Sequence, residues 1–458
     1  MSMKLAIHVL LLPIVLAEIL HPAVVVAVGG HGGGGFSLRL VPSPGWNRMM
    51  HVDNDGFVHL NLNEQAVTAL RPPMHTQVGG MYSVVTSVGT GAGRRTYVLA
   101  LDMTSHLLWM QCNPLQRRHF IQHPPPFDPA NSPSFRPVPG NSPLCLRAEH
   151  RPRAHDSCNF RLRPTRYGAI EVSGVLGNET LAFTATSGEV AEVAGVVIGC
   201  AHDSYWFNSH DVLAGALGLG RQEPSLIWTL GQHRHGAVQV HRFSYCLPSP
   251  RRGSPDHHTF LRFGNDVPGT QHMVSTQIMY MSYTSGQDYS GYFVNLVGVS
   301  VAGRPLHHIG ELFKRHMYPS GWTGGVVFDV GTPTMVMINT AYQKLNDAVV
   351  EHVRAALGVA PVRHPGYPLC FRATPHLWGH LPTVTLKFAE ENARLVLTPQ
   401  RLFVAAGRDI CLHVQPSLDF TIIGAMQQVD TRFVYDVSAG RIYFAPENAC
   451  HADAHGHI

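Results

Sequence analysis

Val98-Leu99-Ala100-Leu101-Asp102-Met103-Thr104-Ser105 reads as an apolar strand that ends in a carboxylate, with a hydroxyl three places beyond it. The same pattern returns as Val326-Val327-Phe328-Asp329-Val330-Gly331-Thr332. An Asp at the end of a buried apolar strand is costly unless its charge is hydrogen-bonded or shared. Each copy is followed later by an apolar pair and a glycine, Ala216-Leu217-Gly218 in the first and Ile422-Ile423-Gly424 in the second. A single Asp followed by Ser or Thr is an ordinary turn or helix cap. Two copies, each with its distant partner in the same order, form an internal repeat and imply two related halves. The apolar-apolar-Gly segment would thread beside each Asp loop, where only glycine allows close approach.

Two such halves bring Asp102 and Asp329 together across their interface. Carboxylates held close cannot both ionise readily, so the pair keeps one proton over an acidic range. One then activates water while the other protonates a carbonyl oxygen. Ser105 and Thr332 are expected to supply outer hydroxyls that hold each carboxylate, with Gly331 in the second loop. The chemistry this predicts is peptide hydrolysis needing neither metal nor other cofactor.

At 458 residues the chain exceeds what one core usually organises, so two domains plus processed ends are expected. Charged residues make up 14% against 44 Gly and 33 Pro, which favours many short strands joined by tight turns, a mainly β fold. A dispersed formal charge of +4, with no basic run interleaved with aromatics, argues against nucleic acid as a partner. Protonating the 30 His would add 30 charges to that +4, making the surface strongly cationic in acid. His451, His455 and His457 lie in a tail without the scaffold a tetrahedral metal site requires.

Lys4 followed by the mostly apolar run Leu5–Ala17 reads as a signal peptide over residues 1–17, its cleavage falling as late as about residue 28. That run is short for a membrane span, and no later segment reads as one, so no membrane association is expected after signal removal. Eight cysteines without a Cys-x-x-Cys pair fit disulfides in an oxidising compartment, and Asn178-Glu179-Thr180 is a glycosylation acceptor. A prosegment is expected over 29–77, loosely attached or removable. It precedes a first lobe over 78–248, an inter-lobe region over 249–285 and a second lobe over 286–450. Within this layout Gly89–Gly93 is the hairpin between strands Tyr82–Val88 and Thr96–Leu101, Pro114–Arg166 is a long loop, and Ser249–Pro268 is strand-poor.

From Tyr82 to Cys450 the chain resembles the plant nepenthesin-like branch of the pepsin family of aspartic proteases. Landmarks carrying this resemblance are Leu107-Leu108-Trp109-Met110-Gln111-Cys112, Ala216-Leu217-Gly218-Leu219-Gly220-Arg221, Phe243-Ser244-Tyr245-Cys246-Leu247, Gly324-Gly325-Val326-Val327-Phe328-Asp329 and Ile423-Gly424-Ala425-Met426-Gln427-Gln428. Gly35-Phe36-Ser37-Leu38-Arg39-Leu40 resembles the opening of the family's prosegment. The resemblance implies a bilobal pepsin-like fold with a central cleft, a monomer, Asp102 and Asp329 as catalytic dyad, Tyr167 as the flap tyrosine and Trp109 as its hydrogen-bonding support. It also implies the disulfides Cys246 with Cys450, Cys370 with Cys411, Cys145 with Cys158 and Cys112 with Cys200. The last two stay open to rearrangement, because family cysteines near Pro114 and Gly140 are missing.

The departures bear on function. The family's Asp-Thr-Gly-Ser loop here reads Asp102-Met103-Thr104-Ser105, and neither Met103 nor Val330 can make the hydroxyl grip that ties each loop to the opposite lobe. Thr104 in place of glycine is expected to strain the backbone or crowd the water. Tyr167-Gly168-Ala169-Ile170-Glu171 also departs from the family's flap. Two functions follow: an aspartic endopeptidase acting on an extended peptide or protein, secreted or vacuolar, or a protease-like binding protein resembling the xylanase inhibitors, with a secreted glycosidase as partner.

Overall fold

The computed structural model describes residues 35–42, 50–52, 58–60 and 82–450, apart from 123, 147–149, 153–156, 163–170, 185–189, 206–212, 233–240, 248–258, 265, 280–289, 319–320 and 448–449. The expected signal peptide and the His tail fall outside them, as does Tyr167. Among the described residues no helix is long and apolar enough to cross a membrane.

The fold is mainly β, and the repeat read from the sequence is a repeat of strand topology. In the first half, Arg95–Asp102 lies parallel to Leu213–Gly218, which runs antiparallel to Leu108–Gln111, which is in turn parallel to Val190–Tyr205. In the second half, Val326–Phe328 lies parallel to Thr421–Ile423, which runs antiparallel to Met335–Ile338, which is parallel to Val414–Ser417. Each Asp thus sits at the end of a strand whose parallel neighbour is the apolar-apolar-Gly segment. Gly218 stands opposite Asp102 and Ile423 opposite Phe328. Both faces of these strands are buried, so their sequences are continuous apolar runs instead of alternating ones.

The halves are joined by a sheet whose order is Val274–Gln277, Arg441–Pro446, Thr431–Asp436, Arg242–Cys246, Thr259–Gly264, Gly35–Pro42 and Tyr82–Val88, continuing into the first lobe. Aromatic rings fill the space behind it. Phe243 stacks on Tyr435 with centroids 4.5 Å apart, and Tyr292 meets Tyr435 edge-on at 4.8 Å. The buried hydroxyl of Tyr245 donates to Gln428 Oε1 at 2.6 Å and lies 3.0 Å from that of Tyr435, so the phenol oxygens are satisfied without water.

Three stretches differ from the expectation. Ser249–Pro268, read as strand-poor, holds the strand Thr259–Gly264, whose Leu261 and Phe263 alternate into the core. Gly35–Pro42, inside the expected prosegment, is hydrogen-bonded on both sides, to Thr259–Gly264 and to Tyr82–Val88. Within Pro114–Arg166, short strands at Arg136–Pro137, His150–Pro152 and Cys158–Leu162 add to the first lobe. All four disulfides that the resemblance implies are formed, Cys112–Cys200, Cys145–Cys158, Cys246–Cys450 and Cys370–Cys411. Asn178 lies half-buried inside Glu171–Thr184, between Val197 and Arg136 on neighbouring strands, and Thr180 is buried.

The repeat depends on its glycines. A Cβ on Gly424 would overlap the carbonyl oxygen of Thr334, and one on Gly218 would lie 2.6 Å from that of Leu107. We expect Gly424→Ala to destabilise the protein by roughly 3 kcal/mol, read as a lowered unfolding midpoint. Wild-type stability in that variant would contradict the close threading.

Candidate active site

The two loops that end the repeat strands meet at the seam between the halves. Asp102 closes its strand with its backbone carbonyl accepting from Leu219 N at 2.8 Å, and Asp329 N donates to the Ile423 carbonyl at 3.1 Å. Each Asp is therefore fixed by the segment that threads beside it. Asp329 is 4% exposed, while Asp102 is half-buried.

Hydrogen bonds then orient the carboxylates, and they do so asymmetrically. Asp102 Oδ1 accepts from Thr104 N at 2.8 Å, Thr104 Oγ1 at 2.8 Å and Ser105 N at 2.9 Å. Among the described residues no donor reaches its Oδ2. Asp329 Oδ1 accepts from Gly331 N at 3.0 Å and, across the seam, from Met103 N at 3.0 Å, while Thr332 Oγ1 donates to Oδ2 at 2.6 Å. Gly331 is required by space, since a Cβ there would stand 2.7 Å from the Leu101 carbonyl oxygen.

Burial, and after it the neighbouring charge of Asp102, pushes the Asp329 carboxyl up to about 6, against the three hydrogen bonds that favour its anion. The seam thus has one member that holds its proton into mildly acidic solution. Its partner is a carboxylate with one oxygen fully committed to its own loop. Such a pair has the parts for general acid-base work on water.

Ser105 positions Asp102 by its amide, not by its hydroxyl as expected. Ser105 Oγ lies 3.4 Å from the Leu107 carbonyl and accepts from Leu107 N at 3.3 Å, while Thr104 Oγ1 is the hydroxyl on the carboxylate. The strain expected at Thr104 is absent. Among the described residues the non-glycine positions with positive φ are Ala302, His308 and Asp430. Met103 and Val330 are fully buried, filling with apolar volume the places where gripping hydroxyls would stand. Trp109 is buried on Leu108–Gln111, edge-on to Phe120 at 6.4 Å; its expected partner Tyr167 lies outside the described residues.

Sequence reasoning missed the Met103 amide and residues 290–292. Ser290 Oγ donates to the Thr104 carbonyl at 2.7 Å, and Tyr292 Oη to that of Leu219 at 2.7 Å. A backbone donor leaves no trace in residue type, and Ser290 sits beside a stretch with no motif. Among the described residues one metal-ligand group stands out, His364 with Cys370 and Cys411, but its two sulfurs are joined to each other.

Residues 82–265 match the family model described as xylanase inhibitor N-terminal, and residues 291–446 match the one described as xylanase inhibitor C-terminal. The chain is 30% identical over 373 residues to aspartyl protease family protein 2 of Arabidopsis thaliana, covering 79% of this chain and 70% of that protein. It is 27% identical over 373 residues to aspartic proteinase nepenthesin-1 of Nepenthes gracilis, covering 80% and 77%. Among solved structures, basic 7S globulin from soybean superposes with a TM-score of 0.62 at 18% identity, covering 92% of this chain and 99% of that one. The structure titled edgp does so with 0.62 at 16%, covering 92% and 97%. At these identities the structural likeness is one of fold.

Asp329 binds its proton more tightly folded than unfolded, so its contribution to stability is full below about 3.8 and is lost as pH rises through about 6. We expect wild type to lose stability over that window relative to Asp329→Asn, measured by melting both proteins across it. Parallel pH profiles would contradict the burial of this carboxyl.

Proposed function

Because the chain belongs to the plant aspartyl protease family of the nepenthesin-like branch, with xylanase-inhibitor-type N- and C-terminal domains, we propose that it is an aspartic endopeptidase. The observation that carries this reading is the seam itself. Asp102 and Asp329 end equivalent strands, Met103 N–H bridges from one loop to the other's carboxylate at 3.0 Å, and Asp329 is pushed up to about 6.

In this reading Asp102 holds the negative charge and Asp329 the proton. An extended peptide lies across the seam with a water between the carboxyls. Asp102, through the oxygen its loop leaves free, takes a proton from the water as the water oxygen attacks the scissile carbonyl carbon. Asp329 gives its proton to the carbonyl oxygen, forming a neutral tetrahedral diol. Collapse of the diol breaks the C–N bond as Asp102 passes its proton to the leaving amine and Asp329 recovers one from the diol. The signal-like segment 1–17 extends the proposal to a protein that works outside the cytosol, extracellularly or in a vacuole.

A second reading is supported by the name of the family models and by Met103 and Val330. A seam lacking both gripping hydroxyls keeps the fold but loses positioning, and loose geometry forfeits much of the proximity advantage. The same surface then serves binding, with a secreted glycosidase such as a xylanase as partner.

Cleavage of a quenched-peptide library by the purified protein separates the two. We expect cleavage in acid that pepstatin blocks, that falls as pH rises through about 6 when Asp329 ionises, and that drops by roughly a thousandfold or more in Asp102→Asn and Asp329→Asn. Folded protein that cleaves nothing at any pH, and slows a xylanase instead, would establish the second reading.

A further inference from the structure

Met103 and Val330 remove both hydroxyls that would cross the seam, yet the Asp102 loop is not left slack. Thr104 Oγ1 donates to Asp102 Oδ1 at 2.8 Å, on the oxygen that also takes the amides of Thr104 and Ser105. A glycine at position 104 would supply the amide alone. The Thr104 carbonyl is in turn held by Ser290 Oγ at 2.7 Å, and Ser290 is fully buried.

Ser290 stands where the chain enters the second half, and the segment it opens grips the first half twice more. Arg221 N donates to the Ser290 carbonyl at 3.0 Å, and Tyr292 Oη to the Leu219 carbonyl at 2.7 Å. Gly220 makes room for this. A Cβ on Gly220 would overlap the Ser290 hydroxyl, and Gly291 lies against the Thr104 methyl. The β-branched side chain that looked like an obstacle in sequence therefore has a fitted place.

We propose that Thr104 and Ser290 form an inter-lobe clasp that takes over from the absent hydroxyls at positions 103 and 330. Thr104 fixes the Asp102 carboxylate by bringing a third donor to Oδ1. Ser290 fixes Thr104 against the second half. Thr104 is a positioning residue, since it acts through Asp102. The catalytic consequence rests on the proteolytic reading, whereas the bond itself belongs to the resting protein.

A carboxylate that loses a donor binds its proton more tightly than one that keeps it, so the hydroxyl is tested by the difference between variants. The charged and titratable groups around the seam are Asp329 opposite, Tyr245, Tyr435 and Tyr292 behind it, His106 on the same loop and Arg221 on the turn that Ser290 holds. Every variant below keeps all of them.

The test is a carboxyl-carbon NMR titration of the full chain, with Asp102→Asn used to assign the Asp102 signal and thermal melting to confirm folding. In Thr104→Val we expect the Asp102 midpoint to rise by about one pH unit, and Thr104→Ser to restore it to within about 0.3 unit. Ser290→Ala should move it the same way by less. Should the valine variant not fold, Thr104→Ala carries the same expectation. The acid limb of kcat/KM for peptide cleavage should move with the midpoint while KM holds. Because the titration needs no turnover, a protein that cleaves nothing but shows the shift loses the protease reading and keeps the clasp. A midpoint indifferent to the hydroxyl, or equal shifts in the serine and valine variants, overturns it.

Discussion

A buried carboxylate, Asp329, accepts an amide hydrogen from Met103 in the opposite loop, so one half of the molecule is fully satisfied only when the other half is in place. Burying an acid costs several kcal/mol unless its oxygens are bonded or its proton retained. Here both remedies operate. Three donors reach Asp329, and burial beside Asp102 still pushes its carboxyl up to about 6. The glycines, the parallel threading strands and the aromatic sheet that docks the halves all hold this costly pair in register.

The asymmetry of the pair has consequences for chemistry. Asp102 is half-buried with one oxygen taken by three donors from its own loop, whereas Asp329 is buried with donors on both oxygens. Two carboxyls of identical type thereby sit in different environments, and it is Asp329 whose burial raises its proton affinity. Thr104 adds to the difference by placing a side-chain hydroxyl on Asp102 Oδ1. An apolar residue at 103 preserves the backbone donor, since an amide depends on the path of the chain and not on the side chain.

Much of this was legible in the chain itself. The two Asp repeats with their distant glycines identified the topology, because parallel threading beside an Asp loop leaves few residue choices besides glycine. What stayed hidden depended on contacts that carry no residue signature. Spacing points to the Ser105 hydroxyl, whereas Thr104 fills that role, because spacing cannot say which of two adjacent hydroxyls faces the carboxylate. Ser290 precedes no recognisable motif, and only the fold brings it to Thr104. Gly35–Pro42 falls in the stretch expected to be a loosely attached or removable prosegment, yet its backbone is hydrogen-bonded on both sides. A strand's place in a sheet is set by main-chain partners that composition does not report.

Binding of pepstatin tests, without requiring turnover, the proposal that Asp102 and Asp329 act as one unit sharing a single proton. Calorimetric titration of the purified protein should give binding in acid that weakens as pH rises through about 6 and disappears in Asp102→Asn and in Asp329→Asn. Absence of binding at every pH, or binding that survives loss of either carboxylate, would contradict a shared-proton pair.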